Sequence, residues 1–391
     1  MTKQNNQLLI LILTLGVFGI LTTEMGVIGI LPSIAEQYDI SVSRAGLLVS
    51  LFALVVAISG PIMPLLFSGI NRRAVMLLVL GIFIVGNLVS MFASNFTVLL
   101  IARVIPAFFH PIYCSLALTV AATSVSREEA PKAVSKVIMG VSAGMILGVP
   151  ITNFIANQTS IQMSILFFAI VNMIAFVATL IFVPSLPVKE RLSYGAQIRV
   201  LKKPMVWLAV ATVIFLNSGN SSINTFITEY LETITNVSGN TLTFALFLLG
   251  VASLIGALLG GRLLSRNAFK TAMSFPIVLG IVHLLSFLTG KSIGPMMLTI
   301  LLWGILFAIS NSVSQYWITS AAPEAPDFAN GLFLSCGNIG VTIGTGVGGL
   351  IISRMGTQYI VLGGLLFLLL GLASIVLSRY MLSPTTKQVA S

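Results

Sequence analysis

Acidic side chains are scarce in this sequence. Asp and Glu together number 10 among 391 residues, and all charged residues make up 8%. A soluble domain carries roughly 25% charged residues, so a water-soluble fold is excluded. With 57% hydrophobic residues and a mean hydropathy of +1.06, the chain reads as an integral membrane protein. Ten-residue segments of alternating polarity are missing while apolar runs of helical length abound, which argues for an all-α bundle over a β-barrel. The two cysteines, Cys114 and Cys336, fall inside apolar runs in opposite halves and read as packing residues, with no disulfide. No G-x-x-x-x-G-K-[ST] loop is present, which argues against ATP hydrolysis by this chain. No H-E-x-x-H or Cys/His ligand cluster appears, so no metal or other cofactor is implied. No polar stretch is long enough for a catalytic domain, so an enzyme is not expected. The formal charge of +10 comes without a basic stripe or stacking aromatics, so no nucleic-acid partner is implied.

What the chain has is apolar length. A bilayer crossing needs roughly 20 apolar residues, and hydropathy predicts twelve such spans: 8–31, 44–67, 74–93, 97–122, 135–156 and 161–183, then 205–230, 241–264, 270–289, 294–321, 328–353 and 358–381. A polar connection at 185–204 separates a first bundle, 1–184, from a second, 205–391. An even number of spans puts both termini on one side. That side collects every Lys and Arg outside the spans except Arg44, Lys291 and Arg354, so both termini are expected in the cytoplasm. Retention of basic loops on that side accounts for the net charge. The expected surroundings are the lipid bilayer of a cell membrane, with the chain acting as a monomer.

The two halves echo each other. Gly140, Gly144 and Gly148 in span 5 match Gly340, Gly344 and Gly348 in span 11. Glu129-Ala130-Pro131 matches Glu324-Ala325-Pro326, and Val79-Leu80-Gly81-Ile82 matches Val278-Leu279-Gly280-Ile281. The expected architecture is therefore two pseudo-symmetric six-helix bundles of parallel repeat, an arrangement used by transporters.

The first span, LLILILTLGVFGILTTEMGVIGIL, contains one ionisable side chain, Glu24. A carboxylate at that depth costs on the order of 2.5–3.5 kcal/mol, so it faces a cavity or a partner. In span 4, Arg103, Ala107, His110 and Cys114 share one helical face. At about 1.5 Å per residue, Glu24 and Arg103 both sit roughly 10 Å from the outer edge of the apolar slab. They are expected to be partners, with Arg103 holding Glu24 ionised in one state and releasing it for protonation in another; a permanent structural ion pair is the plain alternative. His110, beside Pro111, ranks behind them, because a neutral hydrogen-bonded histidine explains it equally well. The glycine rows permit close helix packing, and Pro150 permits a kink, so these helices are candidate gating elements. Span 7 carries a stripe of Asn217, Asn220, Ser221, Asn224 and Thr228. Span 10 carries Phe307, Asn311, Ser314 and Gln315, and span 11 carries Asn338, Thr342 and Thr345. Substrate hydrogen bonding is placed at Asn220, Asn224, Asn311, Gln315 and Asn338, against interhelical hydrogen bonding as the alternative.

These motifs resemble the major facilitator superfamily, specifically its bacterial twelve-span drug:proton antiporter group. The similarity is greatest to the branch of sugar-efflux, arabinose-efflux-like and purine-efflux permeases. The resemblance rests on Arg103 in LLIARVIPAFFHP, with Ala107 in place of the usual glycine, and on Gly140-xxx-Gly144-xxx-Gly148-Val149-Pro150. It rests further on Glu24, Gly29, Leu31 and Pro32 in span 1, and on APEAPDFANGLFLSCGNIGVTIGTGVGG. One departure stands out. The 68–73 loop reads Ser68-Gly69-Ile70-Asn71-Arg72-Arg73, keeping the family's basic residues without its acid, so gating there falls to Arg72 and Arg73 with helix ends. The resemblance implies proton-coupled efflux of small organic solutes such as drugs, sugars or nucleosides by alternating access. A proton-linked importer of the same fold is the nearest alternative, and a passive channel or membrane sensor a more distant one.

Overall fold

The computed structural model describes residues 3–67, 69–126, 129–186, 197–323 and 326–382. Ser68 of the 68–73 loop, Glu324-Ala325 of the repeated loop, and residues 187–196 of the 185–204 connection lie outside the described residues. Within them the chain is helical throughout: α1 (Lys3–Gly26), α2 (Leu31–Gln37), α3 (Val42–Ala45), α4 (Leu47–Leu66), α5 (Arg72–Met91), α6 (Phe96–Ala107), α7 (His110–Thr123), α8 (Ala130–Gln158), α9 (Ile161–Phe182), α10 (Pro204–Asn224), α11 (Ile227–Thr233), α12 (Gly239–Thr289), α13 (Ile293–Ala321), α14 (Pro326–Met355) and α15 (Ile360–Leu382). Among the described residues 11 stretches are long and apolar enough to cross a bilayer. One of them, α12, has 51 residues and breaks at Asn267 (φ −160°, ψ 91°). At 1.5 Å per residue it extends roughly 75 Å, more than twice the ~30 Å hydrocarbon core, so it supplies two crossings. The expected twelve are present.

The chain forms two compact units. Unit 1 comprises Met1–Ser41, Leu47–Leu192 and Gly239–Phe247, and unit 2 comprises Val42–Gly46, Ser193–Ser238 and Leu248–Ser391. In unit 1 a core of Leu9, Leu13, Val17 and Ile20 from α1 packs with Phe83, Tyr113 and Val137. The first turns of α12 join this unit through amides at the end of α8: Thr243 Oγ1 donates to Asn153 Oδ1 (2.7 Å) and Gln158 Nε2 to Asn240 Oδ1 (3.0 Å). In unit 2, Val206, Ala209 and Val213 of α10 pack with Ile318, Ala329 and Cys336.

Both units are assembled on the same frame. In unit 1 a Cβ on Gly140, Gly144 or Gly148 of α8 would meet the backbone of α1 at Thr14, Phe18 and Thr22. In unit 2 a Cβ on Gly340, Gly344 or Gly348 of α14 would meet α10 at Ile214, Ser218 and Ser222. Every partner is displaced by the same 200 positions as its glycine. Small residues at every fourth position let the paired backbones touch, and that contact replaces the hydrophobic drive that lipid cannot supply.

Besides the break at Gly46 near the start of span 2, three expected spans turn out to be interrupted. Span 1 tightens into a 3₁₀ turn at Val27–Ile30 before α2 resumes. Pro32, near the start of α2, has no N–H to give, and Asn153 Nδ2 supplies the Gly29 carbonyl from α8 instead (2.9 Å). Span 4 breaks at Phe108-Phe109, flanked by Pro106 and Pro111, where backbone bonds shorten to i→i+3 (Phe109 N to Pro106 O, 2.9 Å). Span 7 breaks between α10 and α11 at Thr225-Phe226.

The acid missing from the 68–73 loop has a structural stand-in. Asn71 Oδ1 accepts from the backbone N–H of Arg73 and Ala74 and so caps α5, while its Nδ2 donates to Ser185 Oγ (2.7 Å). Arg73 Nη2 reaches the Leu180 carbonyl at the end of α9 (2.7 Å), where a cation suits the helix C-terminus. Asn71→Ala is expected to cost about 1 kcal/mol through the lost cap, read as a lower Tm of the purified protein.

Candidate functional site

The interruptions in α1–α2 and α6–α7 bring ionisable groups together inside unit 1. Glu24 lies in the last turn of α1, and His110 is the first residue of α7. His110 Nε2 and Glu24 Oε2 are 3.1 Å apart, with side chains only 12% and 10% exposed. Cys114, one turn further along α7, places Sγ 3.8 Å from the same Nε2. The Phe52 ring from α4 meets the imidazole edge-on, with centroids 6.0 Å apart.

Arg103 is close by, and its hydrogen bonds go to the backbone of α1 rather than to the Glu24 carboxylate. The residue is 6% exposed, and its guanidinium donates to two main-chain carbonyls of α1: Nη1 to Thr23 (3.1 Å) and Nη2 to Glu24 (3.3 Å). The last four carbonyls of a helix have no intrahelical donor, and Arg103 satisfies two of them where α1 gives way to the 3₁₀ turn. Its positive charge also lies 5.6 Å from the centre of the Phe52 ring, a favourable cation–π contact. The arginine therefore braces the backbone that carries Glu24, and the carboxylate is paired with His110. Matched depth along two helices predicted the neighbourhood; it could not predict which atoms would meet.

The residues beside this centre are polar as well. Thr23 Oγ1 accepts from Asn172 Nδ2 of α9 (3.0 Å) and Asn87 Nδ2 of α5 (3.4 Å), and donates to the Gly19 carbonyl. Asn87, Asn172 and Phe52 were not singled out from sequence. The two amides carry a legible signal, an Asn deep in an apolar span, as the stripe in span 7 does.

Such an arrangement has one evident chemical capacity. A carboxylate and an imidazole in contact can hold a proton on either partner, and a second proton changes the charge of the pair by one. Most membrane-embedded acids are paired in this way because an isolated one is costly.

The amide set expected to bind substrate lies in unit 2. Asn220 is 3% exposed and donates to Ser310 Oγ of α13 (2.7 Å) and to the Leu216 carbonyl, which makes it an interhelical tie. Asn338 donates back to the Leu334 carbonyl of its own helix (2.9 Å). Asn224, Asn311 and Asn338 are half-buried, and Gln315 is exposed. Asn224 stands 200 positions after Glu24, at the end of α10, so the frame shared by the two units holds an acid in one and an amide in the other. Among the described residues no cluster of three or more His, Cys, Asp or Glu could hold a metal ion.

Comparison with known proteins identifies the family. The Major Facilitator Superfamily profile matches residues 13–333 and 219–390. The chain is 31% identical over 363 residues to the uncharacterized MFS-type transporter YtbD of Bacillus subtilis (strain 168), covering 91% of this chain and 92% of that one. It is 28% identical over 377 residues to a probable sugar efflux transporter of Helicobacter pylori (strain G27), covering 94% and 95%. Among solved structures, a bacterial homologue of the human lysosomal transporter Spinster, inward-facing and unoccupied, superposes with a TM-score of 0.80 at 16% identity, over 98% of this chain and 99% of that one. On the profile match and the 31% relative together, the chain belongs to the Major Facilitator Superfamily and is a multi-span membrane transporter.

Proposed function

We propose that this transporter is a proton-coupled antiporter that exports small organic solutes, of the drug, sugar or nucleoside kind, by alternating access. The observation that carries the reading is the buried Glu24–His110 contact at 3.1 Å, set where both of its helices are interrupted. Glu24 takes up the proton, His110 shares it, and Arg103 holds the local backbone of α1. The sugar-efflux name of the Helicobacter relatives supports the export direction and the solute class. Asn224, Asn311, Gln315 and Asn338 remain the candidate solute contacts, while Asn220 serves packing. The chain works as a monomer in the cell membrane with both termini in the cytoplasm, and the basic loops retain that orientation.

The energetics suffice. A proton moving inward across 100 mV releases about 2.3 kcal/mol, which sustains roughly 50-fold accumulation of a neutral solute, since 1.4 kcal/mol is tenfold. The test is a panel of labelled drugs, sugars and nucleosides offered to everted membrane vesicles with an acid interior. At least one solute should accumulate inside, and a protonophore should abolish the accumulation. Accumulation only in right-side-out vesicles would reverse the vector, and flux indifferent to the gradient would reduce the protein to a channel.

A further inference from the structure

A small cavity inside unit 1, with room for about one water molecule, lies directly beside Arg103. Asn87 and Ser90 of α5 and Leu99 of α6 line it together with Arg103, and apolar side chains of the 3₁₀ turn, α2 and α9 close the walls. Arg103 and Asn87 stand level with Thr23 and Glu24, and the rest of the lining extends to one side of them. Ser90 is next to the last residue of α5, Leu99 is one turn nearer than Arg103 to the start of α6, and the 3₁₀ turn follows Glu24 in α1. That side is the outer one in the orientation proposed above. The cavity is polar where it meets Arg103. Among the described residues Arg103 Nε is buried without a hydrogen-bond partner, and Asn87 and Ser90 are 4% and 3% exposed. Ser90 Oγ spends its hydrogen on the Gly86 carbonyl (2.7 Å), leaving lone pairs to accept. A donor and two acceptors around a water-sized space are what an internal water requires.

We infer that this cavity is a hydration site serving proton entry from the outer side, with Arg103 as the barrier between its water and Glu24. The inference rests on the proposed role of Glu24 and adds the route by which that group is reached. While the guanidinium grips the Thr23 and Glu24 carbonyls, the water stays on its outer side. When the grip is released, the water gives a proton to the Glu24 carboxylate, which becomes a neutral carboxyl, and the water is re-protonated from the outer end. No free hydronium need rest beside the arginine, where like charge would oppose it. The other ionisable groups facing Glu24 are His110 and, through it, Cys114. Neither lines the cavity.

The experiment is infrared spectroscopy of the purified protein in lipid, following the carboxyl stretch of protonated Glu24, identified by its loss in Glu24→Gln. Its hydrogen–deuterium exchange is timed after mixing with D₂O. Ser90→Leu fills the cavity and should slow the exchange on the order of tenfold, the effect of removing a hydrogen-bonding partner from a buried site. Leu99→Trp is a second plug should Ser90→Leu not fold. Arg103→Ala should act in the opposite sense and speed the exchange. Absence of any Glu24 carboxyl band across the accessible pH range would defeat the proposed coupling itself. A band that titrates, with exchange untouched by either plug, would overturn the hydration route and leave the coupling standing.

Discussion

Replacing Glu24 with Gln is expected to abolish gradient-driven accumulation in everted vesicles, from roughly 50-fold in the parent to no enrichment over the bath. Gln has the same length and still offers an oxygen to His110 Nε2, so the 3.1 Å contact and the hold of Arg103 on the Thr23 and Glu24 carbonyls should persist. What the amide cannot do is gain and lose a proton. The variant should therefore still exchange labelled solute for unlabelled solute down its gradient, at a rate that no longer varies with pH. Full accumulation by Glu24→Gln would remove this residue from the coupling. Loss of exchange together with accumulation would assign it to structure instead.

Gly144→Leu should be the most damaging substitution outside that site. An added Cβ alone would lie 2.7 Å from Leu21 Cβ and 2.9 Å from the Phe18 carbonyl oxygen, distances that side-chain rotation cannot relieve because backbone is in the way. Overpacking typically costs 1–3 kcal/mol and occasionally more, and here it would push α8 off α1 along the main seam of unit 1. Gly340→Leu tests the same seam in unit 2, where the Cβ would lie 2.6 Å from Asn217 Cβ and 2.7 Å from the Ile214 carbonyl oxygen. Both variants should show a large loss of monodisperse protein on size-exclusion chromatography in detergent. Gly346→Ala is the contrast, since nothing lies within 4 Å of its added Cβ. It should hold or raise the Tm, because Ala in a helix is favoured over Gly by roughly 0.5–1 kcal/mol.

Much of this was legible in the chain, and the illegible parts have physical causes. Spans are readable because lipid penalises any polar residue that lacks a partner, so apolar length reports crossings. The glycine rows are readable because close backbone approach admits nothing larger. Pairing within the buried centre is another matter. Position along a helix gives height, whereas the choice between Arg103 and His110 for the Glu24 carboxylate depends on rotation about each helix axis. The breaks at Val27–Ile30 and Phe108-Phe109 alter that rotation. Pro32, Pro106 and Pro111 mark those breaks in the sequence, but the break after Asn224 has no proline or glycine beside it. The amides of unit 2 show a further limit. A polar residue in an apolar span must be satisfied by something, and for Asn220 that something is Ser310 on a neighbouring helix.

The shared 200-residue register speaks to ancestry. Two bundles whose seams coincide glycine for glycine are what a doubled coding segment leaves behind. Position 24 and its counterpart at 224 then record how the copies parted: one kept or acquired an acid, the other settled on an amide. On the proposed coupling, the group that gains and loses the proton then belongs to one of the twin halves. Each proton that enters in exchange for a neutral solute then moves one positive charge across the membrane, and transport should register as an electric current.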